Sequence, residues 1–179
     1  MTTPVNVVIA ADLSGRTGWC VGSSLKDVEF GVTPIPEGLE DRPGARWAVI
    51  RNLLEDKLNE WRGKDWEGRG EGSIIEIVIE RDYPAYQQTN QVSAVQQMSL
   101  TAVAQLLAHD EGVGLVPVSP STVRTFVMGR GNGKISKKEK EGGKIVRWLR
   151  PQGWAVWDHN VADAILLWAW RKGLKNVVR

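Results

Sequence analysis

VNVVIAADLSGRTGW, residues 5–19, is the stretch from which the fold can be read. Residues 5–11 form a short run rich in Val and Ile, too short for a helix, which ends at Asp12 and the turn-rich LSGRTG. That pattern predicts a buried strand. Residues 19–22 and 28–32 read as second and third strands around a turn at 23–27, giving a three-stranded antiparallel meander that the Pro-rich TPIPEG interrupts.

From Pro43, a residue suited to the first turn of a helix, Trp47, Ile50, Leu54, Leu58 and Trp61 recur at three- and four-residue spacing. They predict an amphipathic helix packed on a flat surface. The polar, glycine-rich GKDWEGRGEGS is a loop. IIEIVI, residues 74–79, is a second buried strand, ending at Glu80. Residues 91–109 read as a helix with Val92, Val95, Ala102 and Leu106 on one stripe. A short fifth strand spans 115–118, and Pro120 or Ser121 opens a helix through about Val127. The glycine-rich, basic GRGNGKISKKEKEGG runs into a helix through Trp148 and Leu149 that Pro151 and Gly153 end. Residues 160–171 form a strongly apolar helix burying Val161, Ala164, Ile165, Leu167 and Trp168. The expected fold class is α/β, a five-stranded mixed sheet flanked by helices: the meander plus two parallel strands, with the first and fourth strands side by side.

The 179 residues suit one domain, 1–179, with no internal repeat. A 42% hydrophobic and 25% charged composition is that of a globular chain and excludes disorder and collagen-like repeats. Cys20 is the only cysteine, which excludes an internal disulfide and a cysteine-based zinc site. The N-terminus has no basic region before its apolar run, and no stretch approaches the length of a membrane span. A soluble, cytoplasmic protein without membrane partners is expected.

Asp12 and Glu80 each end a predicted buried strand, the position where ligand sites form in open α/β sheets. Asp163 lies inside the most apolar helix, where a carboxylate is costly without a partner or a metal. Only the fold could bring these three together. Close carboxylates raise one another's pKa unless a divalent cation neutralises them, and magnesium prefers oxygen ligands. A two-metal site can activate a water and stabilise the leaving oxygen of a phosphodiester. Taken singly, the alternatives are a turn former at Asp12, a surface acid at Glu80, and an Asp163 at the third position of a helix capped by Asn160.

Together VVIAADLSGRTGW, EIVIERDY and DHNVADAILLW resemble the RuvC-like Holliday junction resolvases of the ribonuclease H-like superfamily, in order and spacing, from about Val5 to Trp170. The resemblance implies a ribonuclease H-like fold and a magnesium site made by Asp12, Glu80 and Asp163, holding two Mg2+ with Mn2+ able to substitute. The cellular members carry a further Asp three residues before the final one, where this sequence has Asn160. Asn160 could offer its amide oxygen to a metal. Asp158 is our choice for the fourth acid, with His159 the other neighbour able to turn inward; the Asp-His-Asn arrangement is more like phage-type relatives.

Residues 120–150 hold nine Lys and Arg (Arg124, Arg130, Lys134, Lys137, Lys138, Lys140, Lys144, Arg147 and Arg150) against Glu139 and Glu141. On a total of +2, the segment carries +7 and the remainder −5. A phosphate backbone is the natural partner of such a segment, and a solvated helix face with a flexible loop is the alternative. PSTVRTFVMGRGNGKISKK is similar to the resolvase stretch that contacts junction phosphates. By that likeness Arg124, Arg130, Lys134, Lys137 and Lys138 are DNA-binding residues, with Lys138 also supporting catalysis. Trp148, Trp154 and Trp157 could stack on bases, though burial against the sheet is the commoner fate of a tryptophan. No GxxxxGK[ST] is present, so no Walker site is expected. The DLSGRTG turn is also similar to the phosphate loop of actin-like and sugar kinases, but those need two lobes and this length supplies one.

The expected function is that of a magnesium-dependent crossover junction endodeoxyribonuclease. It would cut four-way DNA by paired nicks, leaving 5′-phosphate and 3′-hydroxyl ends, in the cytoplasm of a bacterial cell or a phage-infected host. A symmetric junction implies a homodimer. The helix at 91–109 is more apolar than one buried stripe requires, through Val92, Val95, Met98, Leu100, Val103, Leu106 and Leu107, and is the expected interface. Two alternatives stand beside this reading: a ribonuclease H-like nuclease acting on other branched DNA or on RNA–DNA hybrids, and a junction-binding module without catalysis.

Overall fold

The structure, a computed structural model, describes residues 6–14, 16–39, 42–63, 74–80, 91–129, 141–175 and 177–178. Along the described residues run β1 (Asn6–Asp12), β2 (Arg16–Gly22), β3 (Glu29–Pro34), α1 (Pro43–Gly63), β4 (Ile74–Glu80), α2 (Gln91–Asp110), β5 (Gly114–Val118), α3 (Pro120–Met128), α4 (Glu141–Leu149), a 3-10 turn (Arg150–Gln152) and α5 (His159–Arg171). The strands form one five-stranded sheet in the order β3-β2-β1-β4-β5. β1, β4 and β5 are parallel, while β2 and β3 pair antiparallel at the β1 edge, as the pattern at 5–32 predicts. The expected ribonuclease H-like architecture is therefore present.

β1 is apolar on both faces because both faces are covered. Val8 and Ala10 enter one core with Cys20, Val78, Val123, Leu149 and the apolar side of α5. Val7, Ile9 and Ala11 enter the other with Ile77, Ile79 and residues of α1 and α2. The two-residue period of a strand thus puts α3, α4 and α5 on one face and α1 and α2 on the other. Asp27 closes the β2–β3 turn by accepting hydrogen bonds from the Ser23 and Ser24 amides at 3.1 and 2.6 Å.

Three sequence expectations are corrected. The stripe read on α2 does not face the sheet: Val95 and Leu106 are 63% and 57% exposed, Ala102 is exposed too, and the Val92 side chain lies outside the described residues. Leu100, Ala104, Leu107 and Ala108 face the sheet instead. Apolar residues cover more than one face of this helix, so spacing alone could not choose between them. Trp47, expected inward on α1, is exposed, whereas Ile50, Leu54, Leu58 and Trp61 are buried. Lastly, α5 starts one residue earlier than predicted because Asp158, not Asn160, caps it: its Oδ1 accepts from the Asn160 and Val161 amides at 2.8 and 3.4 Å. Among the described residues no helix is long and apolar enough to cross a membrane.

Candidate active site

Asp12 and Glu80 are the last residues of adjacent parallel strands. In the register Ala10 pairs with Val78 and Ala11 with Ile79, so the two acids end at the same carboxyl edge. Parity decides their side. Ala10 and Val78 face α5, and residues two further on point the same way. Both acids therefore emerge on the α3/α5 face.

α5 runs opposite to β1 and β4. Near its C-terminal end, Arg171 clamps Glu76 of β4 with Nε and Nη2 at 2.8 and 2.7 Å, and Lys172 Nζ donates to the Asn6 carbonyl at 2.9 Å. Its first turns consequently lie over the strand ends, which brings Asp163 to the two acids. That approach needs Gly18: a Cβ there would stand 2.1 Å from the Asn160 carbonyl carbon and oxygen. β5 ends at Val118 opposite Glu80, and Ser119 caps α3 there, its hydroxyl accepting from the Thr122 amide at 3.3 Å with Pro120 in the first turn. One turn later Arg124 reaches inward, its Nη2 3.1 Å from Asp163 Oδ1. Glu80, Pro120, Val123, Arg124, Asp163, Leu166 and Leu167 line one small pocket.

The electrostatics follow from this crowding. Burial first, then the charges of Glu80 and Asp163, push the Asp12 carboxyl well above the ordinary aspartate range. Arg124 pulls it down, and Asp158 adds a smaller upward push. Residues 68 and 83 positions apart in sequence are thus electrostatic neighbours, as only the fold could arrange. Asp158 is occupied twice, as the α5 cap and as the partner of Arg16, whose Nη2 lies 3.3 Å from its Oδ2. Asn160 is buried behind it, and His159 is exposed. Arg16 was not singled out in the sequence; the signal was its place at the start of β2, just past the turn that follows Asp12 at the acid edge. Arg130, Lys134, Lys137 and Lys138 lie outside the described residues.

The acids suit a hard divalent cation in donor type, all oxygen, and in charge, since the charges of Glu80 and Asp163 push the Asp12 carboxyl upward. They are not closed into a cage: among the described residues no group of three or more His, Cys, Asp or Glu side chains stands ready to hold a metal, and Arg124 engages Asp163.

Sheet order, the parallel β1–β4 pair ending in two acids, and a helix crossing the strand ends with a third define a protein of the ribonuclease H-like fold. The particular likeness is to RuvC of Thermus thermophilus: the two share 15% identity over 93% of each chain, with a TM-score of 0.61. The T. thermophilus RuvC bound to a Holliday junction substrate matches comparably, with 15% identity, a TM-score of 0.60, and 93% of this chain and 96% of that one covered. At such identity the likeness is one of fold. No family model matches the sequence, and no curated protein does.

Proposed function

We propose that this chain is a magnesium-dependent, structure-selective endodeoxyribonuclease that resolves four-way DNA junctions as a homodimer. The observation that carries the reading is the meeting of Asp12, Glu80 and Asp163 at one sheet edge, on a fold shared with a RuvC that has been seen with a Holliday junction. Asp12, Glu80 and Asp163 would hold magnesium, with the Asn160 amide and Asp158 nearest in the chain to complete its surroundings, Asp158 on exchanging Arg16 for the ion. Held there, magnesium would supply charge to offset the carboxylates and the scissile phosphodiester, and would lower the pKa of a water so that a nucleophile is available at neutral pH.

The chain's own residues do the rest. Arg124 carries positive charge into the acid cluster, and on exchanging Asp163 for a phosphate oxygen it would offset charge that develops in the transition state. Asp158 holds the first turn of α5 and, through Arg16, the β1–β2 turn, so Asp12 and Asp163 keep their relative positions. Lys137 and Lys138, with Arg130 and Lys134, would bind the junction backbone and give a strong salt dependence. The outward stripe of α2, with Val95, Met98 and Leu106 all more than half exposed, would join two copies about a two-fold axis, placing two identical sites on a symmetric substrate.

The test is cleavage of a synthetic four-way junction in magnesium, beside a flap and an RNA–DNA hybrid of matched sequence. We expect paired, symmetric nicks in the junction and none from Asp12→Asn. Equal cleavage by Asp12→Asn overturns the mechanism, and preference for flap or hybrid overturns the substrate. A second reading, a junction binder without catalysis, draws on the Arg124–Asp163 pair and the unclosed acid set. It predicts that the wild type holds the junction and leaves it intact at every magnesium concentration.

A further inference from the structure

Between α4 and α5 the chain passes through the 3-10 turn Arg150–Gln152, reverses at Gly153 in the left-handed region (φ 93), and then runs to Asp158. Burial alternates along this stretch: Trp154 buried, Ala155 exposed, Val156 buried, Trp157 exposed. The Val156 amide donates to the Trp154 carbonyl at 2.9 Å, a tight turn about Ala155, and the inward pair is firmly held. Trp154 donates its indole N–H to the Val177 carbonyl at 2.9 Å, and its ring meets Phe30 and Trp168 at centroid distances of 5.5 and 6.4 Å. Trp157 is thereby fixed outward, 73% exposed, with the Arg150 guanidinium 3.5 Å from its ring centroid.

Arg150 is the cation on the ring; Arg16 pairs with Asp158, the next residue in the chain, and Arg147 is exposed on the last turn of α4. Trp157 immediately precedes Asp158, the residue that caps the helix carrying Asp163. An exposed indole with a guanidinium on its ring offers a π-face for a flat ring and charge for a phosphate. A protein partner would call for a broader apolar patch, and the chain neighbours of Trp157 are the small Ala155, the buried Val156 and the polar Asp158 and His159.

We propose that Trp157 and Arg150 form a stacking platform for an unpaired nucleotide at the start of the helix that carries Asp163, the indole taking the base and Arg150 with Arg16 the flanking phosphates. This rests on the reading of the substrate as DNA, and names a residue that would select for unstacked strand.

The experiment is fluorescence anisotropy in metal-free buffer with labelled oligothymidylate and with duplex of equal length. Wild type, Trp157→Ala, Trp157→Phe and Arg150→Gln are compared, each first matched to wild type by circular dichroism. Trp157→Ala should weaken oligothymidylate binding about tenfold, in the range of base–aromatic stacking, and leave duplex binding unchanged. Trp157→Phe should restore most of the loss, and Arg150→Gln should fall between. The proposal is overturned if Trp157→Ala binds oligothymidylate like wild type, if it loses single strand and duplex equally, or if it abolishes self-association and nothing else. Cleavage is not the readout: a wild type that leaves junctions intact yet binds single strand through Trp157 refutes the nuclease reading and supports the platform.

Discussion

Arg124 of α3 and Asp163 of α5 are joined across the carboxyl edge of the sheet, Nη2 to Oδ1 at 3.1 Å, with side chains only 15% and 16% exposed. A cation from the otherwise basic segment is thus spent on one of the three acids. It couples the helix that starts beside Glu80 to the helix that carries Asp163, and under the proposed function it would compete with a divalent ion for Asp163.

Replacing Arg124 with Met should therefore have two opposite effects. In metal-free buffer it leaves Asp163 beside Asp12 and Glu80 with less compensation, costing about 1.5–3 kcal/mol, the range for a hydrogen bond to a charged group. In magnesium the competitor is gone, so the metal-induced rise in melting temperature should exceed that of wild type. Paired thermal melts with chelator and with magnesium check both; an unchanged metal increment would mean that the pair does not obstruct ion binding.

Asp12→Asn should abolish magnesium-dependent nicking while stabilising the metal-free fold. The sign follows from linkage. Burial and its acidic neighbours raise the folded-state pKa of Asp12 above the unfolded value, so between those two values the folded chain holds a proton that the unfolded chain has released. Stability then falls as pH rises through that window, and the deficit persists at higher pH. An amide has no such deficit. Melts from pH 4 to pH 8 in chelator should show the variant gaining on wild type as pH rises, and each gain of about 1 kcal/mol should appear as about 2–4 °C.

Gly18→Ala should be among the most damaging single-methyl changes in the chain. The new Cβ would meet the Asn160 carbonyl group and the Val161 amide nitrogen, at 2.1 and 2.4 Å. These atoms are helix backbone and cannot rotate away. A loss of at least about 2 kcal/mol is expected for such overpacking, measurable by urea unfolding. Gly44→Ala, where a Cβ meets nothing within 4 Å, should be close to neutral.

Leu106→Glu on α2 should leave the fold intact and abolish dimerisation. The side chain is 57% exposed, in line with exposed Val95 and Met98, so the monomer loses little. Light scattering after size exclusion should give twice the monomer mass for wild type and the monomer mass for the variant. A monomeric wild type would remove α2 as the interface.

Much of this architecture is written locally. The apolar β1 run and the turn that follows Asp12 state that a strand is covered on both faces and then reverses, because short-range spacing carries that information. Asp12, Glu80 and Asp163 were legible as strand-end and in-helix acids, since charge at such positions is costly without a reason. Which face of α2 turns inward was not legible, because Leu100, Ala104 and Leu107 compete with equally apolar Val95, Met98 and Leu106 and the sheet chooses among them. The reach of Arg124 to Asp163, the double use of Asp158, and the outward Trp157 beside the buried Trp154 were decided by tertiary structure alone. Each depends on where one element ends relative to another distant in sequence. The amino-acid sequence by itself determined the strands, the helices and which acids were costly to bury. Only packing α3 and α5 over the strand ends decided which charge answers which, because an ion pair is set by distances in space that no local pattern encodes.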